Sequence, residues 1–248
     1  MYLNFTERLL RDAGIVPGMN VLDIGCGSGE VSFIVSRLVG NSGQVVGVDT
    51  NERAIAMAQS RALKQNCANV SFIQTNLTEI STELGSFDAV VGRRILMYLK
   101  NPVAVMNNIL EAVKPNGLLI FQESDLNIGT QSSVPMPLHD KVFNWIAKTV
   151  ASEGADINFG LKLGAKMQEA GILVKHIRAE PNIQGQGDHN SMYFTMRNIL
   201  PRITSKGIAS QQEIEIETLE RRLLEERVNN HIYIGDVAFG AWGHKPSA

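Results

Sequence analysis

A doubly wound α/β fold on a mostly parallel sheet is what this sequence predicts, and three observations carry the prediction. Short apolar runs such as "NVLDIG" (20–25) and "QVVGVD" (44–49) alternate with stretches of helical periodicity. Three glycines, Gly25, Gly27 and Gly29, crowd the joint between the first apolar run and the first helical stretch. The length of 248 residues and a hydrophobic fraction of 44% suit one large α/β domain, or one core with a small appendage.

The elements follow in order. After the glycines, Val31, Ile34, Val35, Leu38 and Val39 recur at i, i+3, i+4, i+7 and i+8, one face of a helix that Gly40 and "NSG" stop. "QVVGVD" reads as the second strand, and Glu52 to Gln65, alanine-rich with Ile55 and Leu63, as the second helix. "VSFIQTN" (70–76) and "FDAVVG" (87–92) are the third and fourth strands. Met106, Ile109, Leu110 and Val113 mark a helix before the "KPNG" turn, and "LLIFQE" (118–123) is the fifth strand. Strands separated by helices imply parallel pairing with right-handed crossovers.

The second half is less regular. "DLNIGTQSSVPMPLHD" (125–140) is a long loop rich in turn residues, and a loop directly after a sheet strand is more often functional than decorative. A helix follows with Leu138, Val142, Trp145, Ile146 and Thr149 on one side, then another from Leu161 to Ala170 that ends at Gly171. "ILVKHIRAE" (172–180) and "HIYIGDVAFGAWGH" (231–244) are two late strands. Between them "SMYFTMRNILPRIT" and "QQEIEIETLERRLLEERV" read as two helices forming a cap, the charges of the second being a solvated face. The expected organisation is a domain of 1–185 with 231–248, and a helical cap of 186–230 inserted before the last strand.

Composition narrows the partners. A net charge of −2 supplies no bulk attraction to nucleic acid or to an anionic membrane. Cys26 and Cys67 lack metal-like spacing, so no metal is expected, and two free thiols suit a reducing cytoplasm. "MYLNFTERLL" carries charges where a signal peptide needs its apolar stretch, and no apolar run approaches the roughly 20 residues of a membrane span. A cytoplasmic protein with a small-molecule partner is expected, and a homodimer is left open.

The glycine turn narrows the ligand. In an open parallel sheet, ligands sit beyond the carboxyl ends of the strands where strand order reverses. Three glycines there let the backbone approach a ligand without side-chain obstruction. A dinucleotide turn, G-x-G-x-x-G, would need a glycine at position 30, which is Glu30, the wrong charge for a pyrophosphate at a helix N-terminus. The pattern is D-x-G-x-G-x-G instead, and Asp23 suits a ligand carrying an ammonium or sulfonium. Asp49, closing the second strand, is placed for two ribose hydroxyls. An unphosphorylated nucleoside with a cationic tail fits both acids, and S-adenosylmethionine has that composition.

With "VLDIGCGSG", "VVGVD", "FDAVVGRRILMYL" and "VKPNGLLIF" in this order and spacing, residues 20 to 123 resemble the class I S-adenosylmethionine-dependent methyltransferases. The branch resembled includes ubiquinone- and menaquinone-biosynthesis enzymes. The resemblance implies a Rossmann-like, seven-stranded sheet with one antiparallel strand, which the two late strands fit. It implies that Asp23, Gly25, Gly27 and Gly29 line the methionine and ribose portion, and that Asp49 holds the ribose hydroxyls. Thr50 would flank the adenine, and Asn76 and Leu77 would meet its edge, although the family usually has Asp where Asn76 stands. Gly92 and Arg93 would face the methionine end, Arg93 pairing with the cofactor carboxylate or with a surface acid.

Methyl transfer needs alignment and water exclusion, and a base only if the acceptor must lose a proton. Candidate bases are Glu123 and His139, with Asp125 and His189 beside them. Tyr98 reads as packing or capping, and His231 and His244 as structural. Met192, Tyr193, Phe194 and Met196 form either an apolar wall above the acceptor or part of a core. The expected activity is methyl transfer to O, N or C of a small, partly apolar molecule, yielding S-adenosylhomocysteine. The alternative is a cyclase or pericyclase of the same fold that binds the cofactor without transferring its methyl.

Overall fold

Strand β1 (Asn20–Ile24) buries four of its five residues, the pattern of a strand covered on both faces. The computed structural model describes residues 4–77, 80, 84–186 and 191–247. In it β1 pairs in parallel with β2 (Gln44–Asp49) on one side and β4 (Phe87–Arg93) on the other, Val21 lying opposite both Val45 and Ala89. Parallel pairs also join β2 to β3 (Val70–Gln74) and β4 to β5 (Val113–Asp125). Strand β8 (Tyr233–His244) follows β5 in the sheet, and β7 (Leu173–Gln184) pairs with β8. The strand order β3-β2-β1-β4-β5-β8 reverses at β1, so the connections leaving the carboxyl ends of β1 and β4 run to opposite faces of the sheet, the arrangement that leaves a crevice outside those ends.

The chain divides into two compact units. The first holds the residues up to Glu123, Phe159–Ala179 and the stretch from Phe239. Three of its helices start where the sequence supplies an asparagine cap. Asn4 accepts the Glu7 N–H to open α1 (Phe5–Ala13). Asn51 accepts from Arg53 and Ala54 to open α3 (Glu52–Lys64), and Asn101 caps α4 (Pro102–Glu111), which has Pro102 in its first turn. Helix α2 (Glu30–Val39) lays Val31, Ile34, Val35 and Val39 against Leu9, Leu10, Val21, Val45 and Ile120 in the main core. A smaller cluster joins Cys26, Phe33, Ile55, Ala58 and Phe72. Helix α6 (Phe159–Glu169) also belongs to this unit.

The second unit comprises Ser124–Asn158 and Glu180–Ala238. Helices α5 (Pro137–Ser152), α7 (Ser191–Ser205) and α9 (Ile216–Glu226) bury a core of Val142, Trp145, Met196, Ile203, Leu219 and Leu223. A two-residue strand, β6 (Gln131–Ser132), pairs antiparallel with β8, Gln131 opposite Ile234.

Three details differ from the sequence reading. Among the described residues there are eight strands rather than seven, because β6 forms inside the stretch read as a loop. The "KPNG" turn lies within β5, where the pairing register with β4 shifts between Phe87 and Ala89. The stretch read as a single helix over 211–228 is broken at Glu215, which adopts φ +46° between α8 (Gln211–Ile214) and α9. A capping box of Ser210 and Glu213 opens α8, and Arg222 donates to the Ile214 and Glu215 carbonyls at 2.5 and 3.2 Å, taking acceptors that a continuous helix would use. No helix among the described residues is long and apolar enough to cross a membrane.

Candidate functional site

The three glycines have three left-handed conformations to fill: φ is +64° at Gly25, +53° at Gly27 and +89° at Gly29. A side chain at each would cost roughly 1–2 kcal/mol in backbone strain alone. The turn is stitched by the Cys26 N–H donating to the Val48 carbonyl at 3.0 Å and the Gly29 N–H donating to the Cys26 carbonyl at 2.9 Å. The positions differ in what surrounds them. A Cβ at Gly25 would lie 2.6 Å from the Ile95 side chain, and one at Gly29 would collide with Phe72 and Phe33. A Cβ at Gly27 would meet nothing within 4 Å. Gly25 and Gly29 thus serve packing, while Gly27 opens onto free space.

That space is a cavity of about 380 Å³ lined by Gly25, Cys26, Gly27, Ser28, Glu30, Val31, Arg93, Arg94 and Gln122. Asp49 is tied to its rim. Its Oδ2 accepts the Gly27 N–H at 2.8 Å and its Oδ1 accepts the Asn51 N–H at 2.9 Å, so the end of β2 and the turn share one carboxylate. Each oxygen keeps a lone pair for another donor. From the far side, Arg61 on α3 donates to the Ser28 carbonyl at 2.8 Å and pairs with Glu30 at 2.7 Å. Glu30 therefore occupies the N-terminal turn of α2 with its charge offset by Arg61.

Asp23 lies below the turn rather than in it. It is 1% exposed, accepts the Ser32 hydroxyl at 2.5 Å, and burial pushes its carboxyl up to about 7. Beside it Cys26 is buried, and burial together with Asp23 and Asp49 raises its thiol pKa, which makes it a packing residue rather than a nucleophile. Gly92 sits inside the sheet, where a Cβ would press on Ile24, Ile95 and Phe121 at 3.0–3.1 Å. Arg93, the next residue, reaches the cavity, and its Nη1 donates to the Thr6 hydroxyl at 3.2 Å. That hydroxyl donates in turn to Gln122 Oε1 at 2.7 Å. Burial, then repulsion from Arg94, lowers the Arg93 pKa, against the pull of Asp23 and Glu30.

Thr50 and Asn76 are exposed at the ends of β2 and β3, and Leu77 is buried. The Thr50 carbonyl accepts from Gln74 at 3.2 Å. Glu123, fully buried, takes the N–H groups of Ile95 and Leu96 on Oε1 at 3.0 and 2.8 Å and leaves Oε2 without a hydrogen-bond partner. Burial raises its carboxyl to about 7 against the pull of those backbone donors. It holds the short 3-10 turn Leu96–Tyr98, and through Ile95 it supports Gly25.

His139 lies in the second unit. It is fully buried, with Nδ1 2.8 Å from Glu226 Oε2, its ring 4.8 Å from that of Tyr233, and Nε2 without a partner. Burial lowers its pKa, although Glu226 pulls the other way. Glu226 also accepts the Leu138 and His139 N–H groups and so caps α5. Asp125 folds back on Asn127 and Ile128. His231 meets Ser133, and His244 meets the Asn116 carbonyl. Met192 and Met196 belong to the second unit's core, whereas Phe194 is 49% exposed. His189 lies outside the described residues.

Thr6, Arg61, Ile95, Gln122 and Glu226 were absent from the sequence reading. Their partners lie 28 to 116 residues away, and no local pattern marks them.

A family model described as a methyltransferase domain matches residues 15–180. Demethylmenaquinone methyltransferase of Lactococcus lactis is 28% identical over 143 residues, covering 58% of this chain and 54% of that protein. The chain spans about half the length of the curated relatives it matches. Among solved structures, a SAM-dependent methyltransferase from Aquifex aeolicus superposes with a TM-score of 0.55 at 20% identity, covering 70% of this chain and 82% of that one. The [4+2]-cyclase SpnF gives 0.58 at 18% identity, covering 98% and 81%. The two likenesses establish the fold. With the matched family model spanning the glycine turn, the Asp49 strand end and Arg93, the chain belongs to the methyltransferase-domain family.

Proposed function

We propose that this chain is an S-adenosylmethionine-dependent methyltransferase that moves a methyl group to O, N or C of a small, partly apolar acceptor and releases S-adenosylhomocysteine. The observation that carries the reading is the Asp49 carboxylate held 2.8 Å from the Gly27 N–H, beside a turn whose middle glycine faces open space. A nucleoside can lie against such a backbone while its ribose hydroxyls reach the carboxylate's remaining lone pairs.

When bound, S-adenosylmethionine supplies a methyl already activated by its sulfonium. The chain's own residues bind and orient. Asp49 takes the ribose hydroxyls, Thr50, Asn76 and Leu77 border the adenine, and Gly27 allows close approach. Arg93 receives the carboxylate of the amino-acid tail. Asn76 offers an amide oxygen to the adenine amino group where the family usually offers a carboxylate. Asp23, Gly29 and Gly92 hold this frame from beneath. Alignment of this kind lowers the barrier without proton transfer. Where the acceptor must lose a proton, Glu123, in the same unit as the glycine turn, is the candidate base through the Oε2 it leaves without a partner. The helices within 186–230 carry acceptor selectivity.

Calorimetry tests the reading. Micromolar-range binding of S-adenosylmethionine is expected, with no comparable heat from NAD, and absence of S-adenosylmethionine binding removes the proposal. The fold likeness to SpnF supports the cyclase as a second reading, and release of S-adenosylhomocysteine with turnover separates the two. A cytoplasmic setting agrees with Cys26 and Cys67 both being free thiols, and light scattering tests for a homodimer.

A further inference from the structure

We infer that Thr6, on the first helix, is a positioning residue that sets the Arg93 guanidinium to receive the carboxylate of the cofactor's amino-acid tail; this rests on the function proposed above. The hydroxyl of Thr6 is used in both directions. It gives its proton to Gln122 Oε1 at 2.7 Å, which leaves a lone pair for Arg93 Nη1 at 3.2 Å. Thr6 and Gln122 are 5% and 7% exposed, so little water competes for either bond. Arg93 and Gln122 both line the cavity at the glycine turn, whereas Thr6 stands behind them.

An arginine side chain has several rotatable bonds, and ordering it on ligand arrival costs binding free energy. One hydrogen bond to a buried, doubly bonded hydroxyl removes much of that cost in advance. The hydroxyl is itself delivered by a rigid element. Leu9, Leu10 and Ala13 anchor α1 in the main core, Gly240 lies against Leu9, and Asp12 pairs with Arg178 at 2.7 Å. Among the described residues no carboxylate lies within ion-pairing distance of Arg93. Its remaining donors can therefore turn to an incoming carboxylate without breaking a salt bridge. Because Glu30, the carboxylate that lines the cavity with Arg93, is already paired to Arg61, the Arg93 end suits an anion.

The test compares two ligands that share adenosine and a thioether and differ in the amino-acid tail. These are S-adenosylhomocysteine and 5′-methylthioadenosine. Thr6→Val keeps the shape and removes both hydrogen bonds. It is expected to weaken S-adenosylhomocysteine binding about tenfold, the scale of one charge-assisted hydrogen bond, and to leave 5′-methylthioadenosine unchanged. Thr6→Ser is expected to restore the wild-type ratio. In an Arg93→Met background, Thr6→Val is expected to have no further effect, since the two act as one unit. Should Thr6→Val fail to fold, Thr6→Ala makes the same comparison. Equal loss for both ligands, or no loss for either, overturns the inference and leaves the methyltransferase reading intact. Wild-type protein that binds neither ligand overturns the reading on which it rests.

Discussion

The backbone N–H of Gly27 donates to Oδ2 of Asp49 across 2.8 Å, joining the turn after β1 to the end of β2. One carboxylate therefore does two jobs, bracing the turn in the free protein and remaining available to a ligand. Asp49→Ala is expected to reduce S-adenosylmethionine affinity at least tenfold in calorimetry. It should also cost the free protein about 1–3 kcal/mol, the penalty for an unsatisfied partly buried donor. That is a fall of roughly 2–4 °C in Tm per kcal/mol for a chain of this size. An unchanged melting temperature would mean that the bond does not brace the turn.

Gly25 and Gly27 share a left-handed backbone and differ in their neighbours. Gly27→Ala carries only the backbone strain, roughly 1–2 kcal/mol. Its new methyl projects into open space, so it should fold and bind the cofactor poorly. Gly25→Ala adds an overlap with Ile95 at 2.6 Å and should lose more stability than Gly27→Ala. Thermal melts of both variants, with and without S-adenosylhomocysteine, check the order.

The buried carboxyls make the first unit pH-dependent in an unusual sense. Asp23 rises from an ordinary 3.8 to about 7 and Glu123 from 4.5 to about 7 on folding. Between about pH 4 and 7 the folded chain holds protons that the unfolded chain has released. These groups thus favour the fold most below their unfolded values, and stability is lost as pH rises through 7. Asp23→Asn keeps an acceptor for Ser32 and removes the titration. Urea denaturation at pH 5 and pH 8 should show a drop in wild-type stability on the order of 3–5 kcal/mol that Asp23→Asn roughly halves.

His139 acts in the opposite direction. Burial lowers its pKa below the unfolded 6.5, so its contribution is complete above that value and is lost as pH falls through the folded one. The protection factors of the α5 amides, which correct for the slower intrinsic exchange in acid, are expected to fall on going from pH 7.5 to pH 5, before those of β1 and β4 respond. His139→Gln should flatten that response. A simultaneous fall in protection in all three elements would refute the assignment.

Much of this molecule is written locally. The glycine turn is legible because three successive alternate positions need positive φ, and only glycine adopts it without strain. The buried strands are legible because a strand covered on both faces is filled mainly by apolar residues over a short continuous run. The break at Glu215 was not legible, because glutamate is a good helix former, and the carbonyls it frees are taken by Arg222. Strand β6 was illegible for a related reason. Two residues carry no periodicity, and Gln131 and Ser132 become a strand only by pairing with Ile234 and Tyr233.

The site divides in the same way. The sequence by itself determined the parallel sheet, the turn and the acid that closes β2, because backbone sterics and burial act over a few neighbouring residues. Only the tertiary structure decided that Arg61 offsets Glu30, that Glu123 holds Ile95 against Gly25, and that Thr6 and Gln122 meet at Arg93. Hydrogen bonds and ion pairs act over about 3 Å in space and are indifferent to separation along the chain, so partners as far apart as positions 6 and 122 are joined only once the sheet has brought them together.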